Sequence, residues 1–160
     1  MAGRVLVSYA SKRGSTRDVA EAVATALREQ GREVEVEPAA GVKAIGGFDG
    51  VVLGGALYRG RWHRGARRLL RRRRRDLSTV PVAVFAMGPR RNEEVAFERS
   101  RRQLERALAK APEIEPITTA VFGGVDLQRG IDLRDWDAIH AWADSVGAAL
   151  GSVETPPAAR

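Results

Sequence analysis

Short apolar runs recur along this chain of 160 residues, and stretches of helical length separate them. Arg4–Tyr9, Gly50–Gly54, Val80–Met87 and the segment from near Ile117 to Phe122 are apolar almost throughout, whereas Glu33–Glu37 alternates as Glu-Val-Glu-Val-Glu. A strand that is apolar on both faces must be covered on both faces, as happens in parallel sheets. The alternating run leaves one face wet and so belongs at a sheet edge. The intervening segments carry helical spacing. Val19, Ala20, Val23 and Leu27 form one stripe, and Gly31 then stops that helix. His63–Arg75 places Ala66, Leu69 and Leu70 on one face; Glu93–Lys110 does the same with Phe97, Leu104 and Leu108. Asp135–Leu150 has a stripe of Trp136, Ile139, Ala143, Val146 and Leu150. Strand–helix alternation of this kind predicts a doubly wound α/β sandwich with right-handed crossovers. Residues 1–150 read as one domain, and 151–160 (GSVETPPAAR) read as a flexible tail without periodicity.

In such sheets ligands gather at the carboxyl ends of strands, which singles out three loops. The first is Ser11–Thr16 (SKRGST). It is neither G-x-x-x-x-G-K-[ST] nor G-x-G-x-x-G. What it offers is a nest: the hydroxyls of Ser11, Ser15 and Thr16, close backbone approach at Gly14, and charge from Lys12 and Arg13. Set at a helix N-terminus, this suits a phosphate. Ser15 or Thr16 can also cap the helix, with Asp18 placed as in a capping box. Three hydroxyls in six residues exceed what a cap requires. The second loop, Gly55–His63, contains Ala56, Leu57, Tyr58, Arg59, Gly60, Trp62 and His63. Tyr58 and Trp62 can stack on a flat ring, although Trp62 can equally fold onto the core. His63 can donate a hydrogen bond or a proton, or simply begin a helix at the surface. The third loop opens with Met87, Gly88 and Pro89, where the glycine lets a backbone group approach a ligand edge.

Composition excludes several chemistries. The chain has no cysteine, so disulfides, thiolate zinc sites and cysteine nucleophiles are ruled out. Its only histidines, His63 and His140, lack metal-ligand spacing, and no G-x-S-x-G elbow occurs. No apolar run is long enough to span a bilayer and no signal peptide is legible, so a cytoplasmic protein is expected. The net charge is +7, and lysine occurs only at Lys12, Lys43 and Lys110. Such arginine usage has two readings: a GC-rich coding sequence, or a surface for an acidic protein or anionic membrane. The run Arg71–Arg75 lies on a helix docked by Ala66, Leu69 and Leu70, without the aromatic interleaving of single-strand binders, so specific nucleic-acid binding is not expected. Peripheral contact with the inner face of a membrane through that helix is the alternative use.

The segment Val5–Leu27 (VLVSYASKRGSTRDVAEAVATAL) resembles the N-terminus of the flavodoxin family, in which an apolar strand, a Ser/Thr-rich phosphate loop and a helix follow one another. The resemblance implies a flavodoxin-like sheet of order 2-1-3-4-5 and a non-covalent FMN. It places the phosphate on Ser11, Lys12, Arg13, Gly14, Ser15 and Thr16. The ring would lie among Ala56, Leu57, Tyr58, Arg59, Gly60, Trp62, His63, Met87, Gly88 and Pro89, with Tyr58 or Trp62 stacking. Val51–Leu70 (VVLGGALYRGRWHRGARRLL) is similar to the flavodoxin-domain subfamily that includes the menaquinone-dependent protoporphyrinogen dehydrogenases, with Gly54, Ala56, Tyr58, Gly60 and His63 in step. Those enzymes carry a long insertion where this chain has the short Gly123–Trp136. The expectation is an oxidoreductase passing electrons from a reduced substrate to a quinone-like acceptor. The alternatives are a shuttle between redox proteins with an acidic partner, and a flavin-free module acting through its arginines. Arg59, Arg61 and Arg90, if they face the ring, favour its reduced form; about 1.4 kcal/mol of such stabilisation raises a two-electron potential by roughly 30 mV.

Overall fold

Alternate residues of each central strand enter opposite cores, and this settles the layering. In the computed structural model, which describes residues 3–12 and 14–154, five strands form a parallel sheet. In chain order they are β1 (Arg4–Ala10), β2 (Glu33–Pro38), β3 (Gly50–Tyr58), β5 (Val82–Met87) and β6 (Thr118–Phe122). A two-residue strand β4 (Arg61–Trp62) folds back antiparallel on β3. The spatial order β2-β1-β3-β5-β6 is the expected 2-1-3-4-5 of the five parallel strands. A small hairpin, β7 (Val125–Asp126) with β8 (Ile131–Asp132), stands off the sheet.

Leu6, Val51, Leu53, Val82, Val84 and Ala86 point into one core. There they meet α2 (Arg64–Arg72), α3 (Arg74–Leu77) and α4 (Glu94–Ala109) through Ala66, Leu69, Leu70, Leu77 and Leu104. Val5, Val7, Val52, Ala83 and Phe85 point the other way. They meet α1 (Ser15–Glu29) and α5 (Trp136–Glu154) through Val19, Val23, Leu27, Ile139, Ala143 and Val146. Burying each such side chain is worth about 1.5–3 kcal/mol, which is what holds helices of modest intrinsic stability to the sheet. Phe85, Phe122 and Trp142 add an edge-on aromatic cluster with centroids 5.7–5.9 Å apart. Gly54 makes room for it: a Cβ there would lie 2.0 Å from the Phe85 ring.

Helix α1 ends as its glycine foretells. Gly31 has φ 88°, its N–H donates to the Arg28 carbonyl, and the Arg32 N–H donates to the Leu27 carbonyl. This is a Schellman closure. Edge strand β2 shows the alternation of half-buried valines and wetter glutamates that its sequence predicts.

Four expectations need correction. The stretch read as a single helix over His63–Arg75 is two helices broken at Arg73, whose backbone (φ −113°, ψ 23°) leaves the helical region and turns α3 so that Leu77 is buried. Gly55–Tyr58 is strand and not loop, because β3 keeps pairing with β5 as far as Ala56 opposite Met87. The last helix does not stop at Leu150 but runs on through Glu154, since Gly151 weakens a helix without breaking it and the next proline is Pro156. The rest of the expected tail, 155–160, lies outside the described residues. The helix-cap reading of the first loop is corrected below.

Candidate functional site

The first loop ends in an uncapped helix. The residue preceding α1 is Gly14 at φ 88°, and no side chain caps the helix. A left-handed residue here is one that glycine adopts without strain. Neither Ser15 nor Thr16 occupies the cap position, and Asp18 takes no part in a capping box: its carboxylate instead receives a hydrogen bond from Arg134 at 3.1 Å. The first-turn N–H groups of α1 therefore keep their positive ends available. Ser11 Oγ accepts the Gly14 N–H at 2.9 Å, which leaves its own proton free to donate. Thr16 is fully buried, and its Oγ1 has no hydrogen-bond partner among the described residues. An unpartnered buried hydroxyl costs about 1–3 kcal/mol, and Thr16 carries one in the first turn of α1, as Ser8 does in β1. Arg13 lies outside the described residues.

Ser11, Lys12 and Ser15 form one end of a cavity of about 540 Å³ at the carboxyl edge of the sheet. Such a volume lies within the range of small-molecule sites. Ala56, Leu57, Tyr58 and Arg59 at the end of β3 line its middle, and Met87 and Gly88 line the opposite side. The β3–β4 turn is built from Arg59 (φ 50°) and Gly60 (φ 78°), between the paired residues Tyr58 and Arg61. Two left-handed residues make this a type I′ hairpin turn, and arginine is an uncommon residue in its first position. The turn lifts Tyr58 into solvent at 53% exposure, with the Lys12 ammonium 5.8 Å and the Arg59 guanidinium 5.4 Å from its ring centre.

Trp62 behaves otherwise. It is 1% exposed, and its indole N–H donates to the Gly55 carbonyl at 3.0 Å. Gly55 leaves the space; a Cβ there would lie 2.7 Å from the indole nitrogen. Trp62 is thus part of the cavity floor, and Tyr58 is the exposed aromatic. Next to it, His63 precedes α2 and its Nδ1 accepts the Gly65 N–H at 2.9 Å. Burial, then the nearby Arg67 and Lys12 charges, hold its pKa below the usual histidine value. A neutral imidazole accepting at Nδ1 carries its proton on Nε2, so His63 can offer the cavity one N–H donor.

Several lining groups come from further along the chain. Arg61, Arg64 and Arg67 rise from β4 and α2, and Arg90 from the loop after β5. Gly124, Val125, Asp126 and Gln128 come from the β7–β8 hairpin. Asp126, with a side chain only 10% exposed, sits 3.7 Å from Arg90 and 3.8 Å from Arg129. The Gly88 N–H donates to the Phe122 carbonyl and the Gly124 N–H to the Pro89 carbonyl, which clamps this hairpin against the loop after β5. Arg134, held by Asp132 at 2.6 Å, ties the same hairpin to Asp18 of α1. Two sequence-predicted residues, Gly60 and Pro89, face a neighbouring hollow and not this cavity. Arg64, Arg67 and the β7–β8 hairpin had no signal in the sequence beyond their charge, because only the crossovers bring them to this edge.

A family model described as a flavodoxin domain matches residues 6–135. The chain belongs to the flavodoxin family. Flavodoxins are FMN-binding electron-transfer proteins, and FMN is the cofactor of this one. Solved structures show the same fold. A short-chain flavodoxin associated with a PDU bacterial microcompartment is 17% identical, with TM-score 0.65, and the match covers 97% of this chain and 100% of that one. The flavodoxin of Streptococcus pneumoniae TIGR4 is 18% identical, with TM-score 0.62, over 94% of this chain and 99% of that one. Rubredoxin oxygen:oxidoreductase from Desulfovibrio gigas is 16% identical, with TM-score 0.71, over 96% of this chain but 37% of its own length. This flavodoxin domain therefore spans little more than a third of that oxidoreductase. No curated protein matches the chain. The uncapped start of α1 and the orphaned Thr16 hydroxyl fit the phosphate of FMN, which needs just such donors.

Proposed function

We propose that this flavodoxin is an oxidoreductase, taking electrons from a reduced small molecule and passing them to a quinone-like acceptor. In this reading Ser11, Lys12, Gly14, Ser15 and Thr16 hold the FMN phosphate, with Arg13 of the same loop. The ring is held between Ala56, Leu57, Tyr58 and His63 on one side and Met87, Gly88 and Val125 on the other. FMN, when bound, supplies the two-electron redox chemistry. The residues supply three things. The α1 N-terminus and hydroxyls anchor the phosphate. The Nε2–H of neutral His63 donates one hydrogen bond. The arginines set the electrostatics.

One observation carries the reading: among the described lining residues, Lys12, Arg59, Arg61, Arg64, Arg67 and Arg90 face the cavity against a single carboxylate, Asp126. Positive charge there raises the reduction potential, by roughly 30 mV for each 1.4 kcal/mol of stabilisation. That suits an acceptor of substrate electrons better than a low-potential donor. At the cavity, the exposed Tyr58 adds an aromatic platform for a flat quinone ring. The likeness of Val51–Leu70 to the menaquinone-dependent protoporphyrinogen dehydrogenases supports the same class, while the short β7–β8 hairpin in place of their insertion leaves the substrate a different one.

A second reading, a shuttle with an acidic protein partner, draws on the exposed arginines Arg68, Arg71, Arg72 and Arg75 of α2 and α3. The same face would serve a peripheral contact with an anionic membrane. Steady-state reduction of a menaquinone analogue by the FMN-loaded protein separates the readings: turnover with a small reductant supports the oxidoreductase, and its absence beside rapid exchange with an acidic redox protein supports the shuttle. For the cofactor placement, Ser15→Ala with Thr16→Ala should weaken FMN about a hundredfold and leave riboflavin unchanged, measured by flavin fluorescence quenching. Equal losses for both ligands would move the phosphate elsewhere.

A further inference from the structure

Across the β3–β4 hairpin from the flavin cavity lies a second hollow of about 520 Å³. Its walls are the hairpin itself, the Gly88–Arg91 loop and the first half of α4. The hairpin tip reaches α4, since a Cβ on Gly60 would lie 3.6 Å from Gln103 Nε2. Arg59, Arg90, Arg91 and Arg99 all line this hollow, and none of its described lining residues is an Asp or Glu. Some arginines elsewhere on the surface are paired, as in Arg74–Glu113 at 2.8 Å and Arg101–Glu94 at 3.0 Å. Here Arg90 has only a long contact to Asp126 at 3.7 Å, and Arg59 lies over the Tyr58 ring. Arg91 and Arg99 have no ion pair or hydrogen bond among the described residues.

Concavity makes this charge different from that of α2. Arg68, Arg71 and Arg72 radiate from a convex helix and cannot close on one small ligand. Guanidinium groups facing a shared hollow can each take a carboxylate or phosphate bidentately, and two such contacts on one molecule reinforce each other. Leu57, Pro89 and Ala96 supply apolar wall between the cations. The volume is that of a small-molecule site and not of a protein footprint.

We propose that this hollow binds a small molecule bearing at least two phosphate or carboxylate groups on an apolar body, with Arg91 and Arg99 as its principal recognition residues. Leu57, Tyr58, Arg59, Gly88 and Arg90 line both hollows, so a ligand here is separated from the flavin cavity by the hairpin and the start of the loop after β5. That it is then the redox substrate rests on the oxidoreductase reading above; the anion site itself does not.

The test is calorimetric titration of the FMN-loaded protein with pyrophosphate and, separately, with citrate at about 0.15 M salt, where loose surface charge is screened. FMN loading is read independently by absorbance, so a failure of the flavin site and a failure of the hollow leave different records. Should no FMN be taken up, the same titration of the unloaded protein applies the same criterion. The expected result is sub-millimolar binding of at least one probe, weakened tenfold or more in Arg91→Gln/Arg99→Gln and less than twofold in Arg71→Gln/Arg72→Gln, with FMN affinity equal in all three proteins. Preference for pyrophosphate or citrate assigns a phosphate or carboxylate ligand. All four substituted residues are exposed, so the variants should fold. Equal weakening in both double variants, or no heat with either probe, would overturn the proposal.

Discussion

The two ends of the flavin cavity are built by different means. The proposed phosphate end is local: Ser11 Oγ accepts the Gly14 N–H and the uncapped start of α1 follows at once, without help from distant residues. The proposed ring end is assembled from β3, β4, α2, the loop after β5 and the β7–β8 hairpin, which meet only because the crossovers deliver them to one sheet edge. The first draws its hydroxyls and its charge from neighbours in sequence, Ser11, Lys12 and Ser15. The second places an exposed tyrosine and several arginines on a turn with a left-handed arginine. On the proposed reading one end holds the phosphate of the cofactor, and the charge gathered at the other sets its chemistry.

Breaking the ring end at its base should have the largest effect. Trp62→Ala removes a buried indole and leaves the Gly55 carbonyl without its donor. A loss of about 3–5 kcal/mol in urea unfolding is expected, with collapse of the hairpin above it. Trp62→Phe keeps most of the packing and should cost about 1–2 kcal/mol. If both substitutions proved neutral, the hairpin would not depend on this buried anchor.

The phosphate end should respond in the opposite sense. Thr16→Val removes a buried hydroxyl that has no partner, so in the absence of FMN the protein should gain up to about 1 kcal/mol. The same substitution should weaken FMN about tenfold. A gain in stability paired with a loss of affinity identifies a group kept for its ligand; a loss in both would assign Thr16 to the core alone.

Smaller again is Arg59→Gly. Glycine relieves the left-handed strain at φ 50° and should stabilise the hairpin by about 1 kcal/mol. The loss of one cation near the ring should lower the flavin midpoint potential by roughly 10–30 mV in spectroelectrochemical titration. A potential that does not move would mean that Arg59 serves the neighbouring hollow only.

The most modest effect concerns His63. Its folded pKa lies below its ordinary value, chiefly through burial. The unfolded chain therefore binds the proton more readily. The stabilisation that comes with neutral His63 is complete above the unfolded pKa of about 6.5 and is lost as pH falls through the lower folded value. Relative to His63→Asn, which retains a side-chain acceptor for the Gly65 N–H, the native protein should lose stability between neutral and mildly acidic pH, measured as the difference in urea midpoints. Parallel midpoints across that range would show that the ring is not desolvated.

Much of this molecule was legible in its residues. The fully apolar runs at Val5–Val7, Val51–Leu53 and Val82–Phe85 demand cover on both faces, and Glu33–Glu37 demands an edge, so the parallel sheet and its wet margin follow from side-chain chemistry alone. Gly31 marked the end of α1, and the Ser/Gly/Thr loop singled out a candidate phosphate site, because both signals are encoded within a few residues. What local sequence could not show was a choice between competing partners. Ser15 and Thr16 have the chemistry of caps, yet Gly14 takes the cap position and Arg134, far along the chain, claims Asp18. Trp62 and Tyr58 look alike as candidate stacking residues; a missing Cβ at Gly55 draws one into the core, and a type I′ turn pushes the other out. The arginines of β4, α2 and the loop after β5 are scattered in sequence and focused in space, as is Asp126 against them. Strand period, glycine placement and hydroxyl content act over a few residues, so the sequence by itself determined the sheet and singled out the loop before α1 as the candidate phosphate site. Which cations share a cavity, and which aromatic remains exposed beside it, depends on long-range packing, and only the tertiary structure decided that.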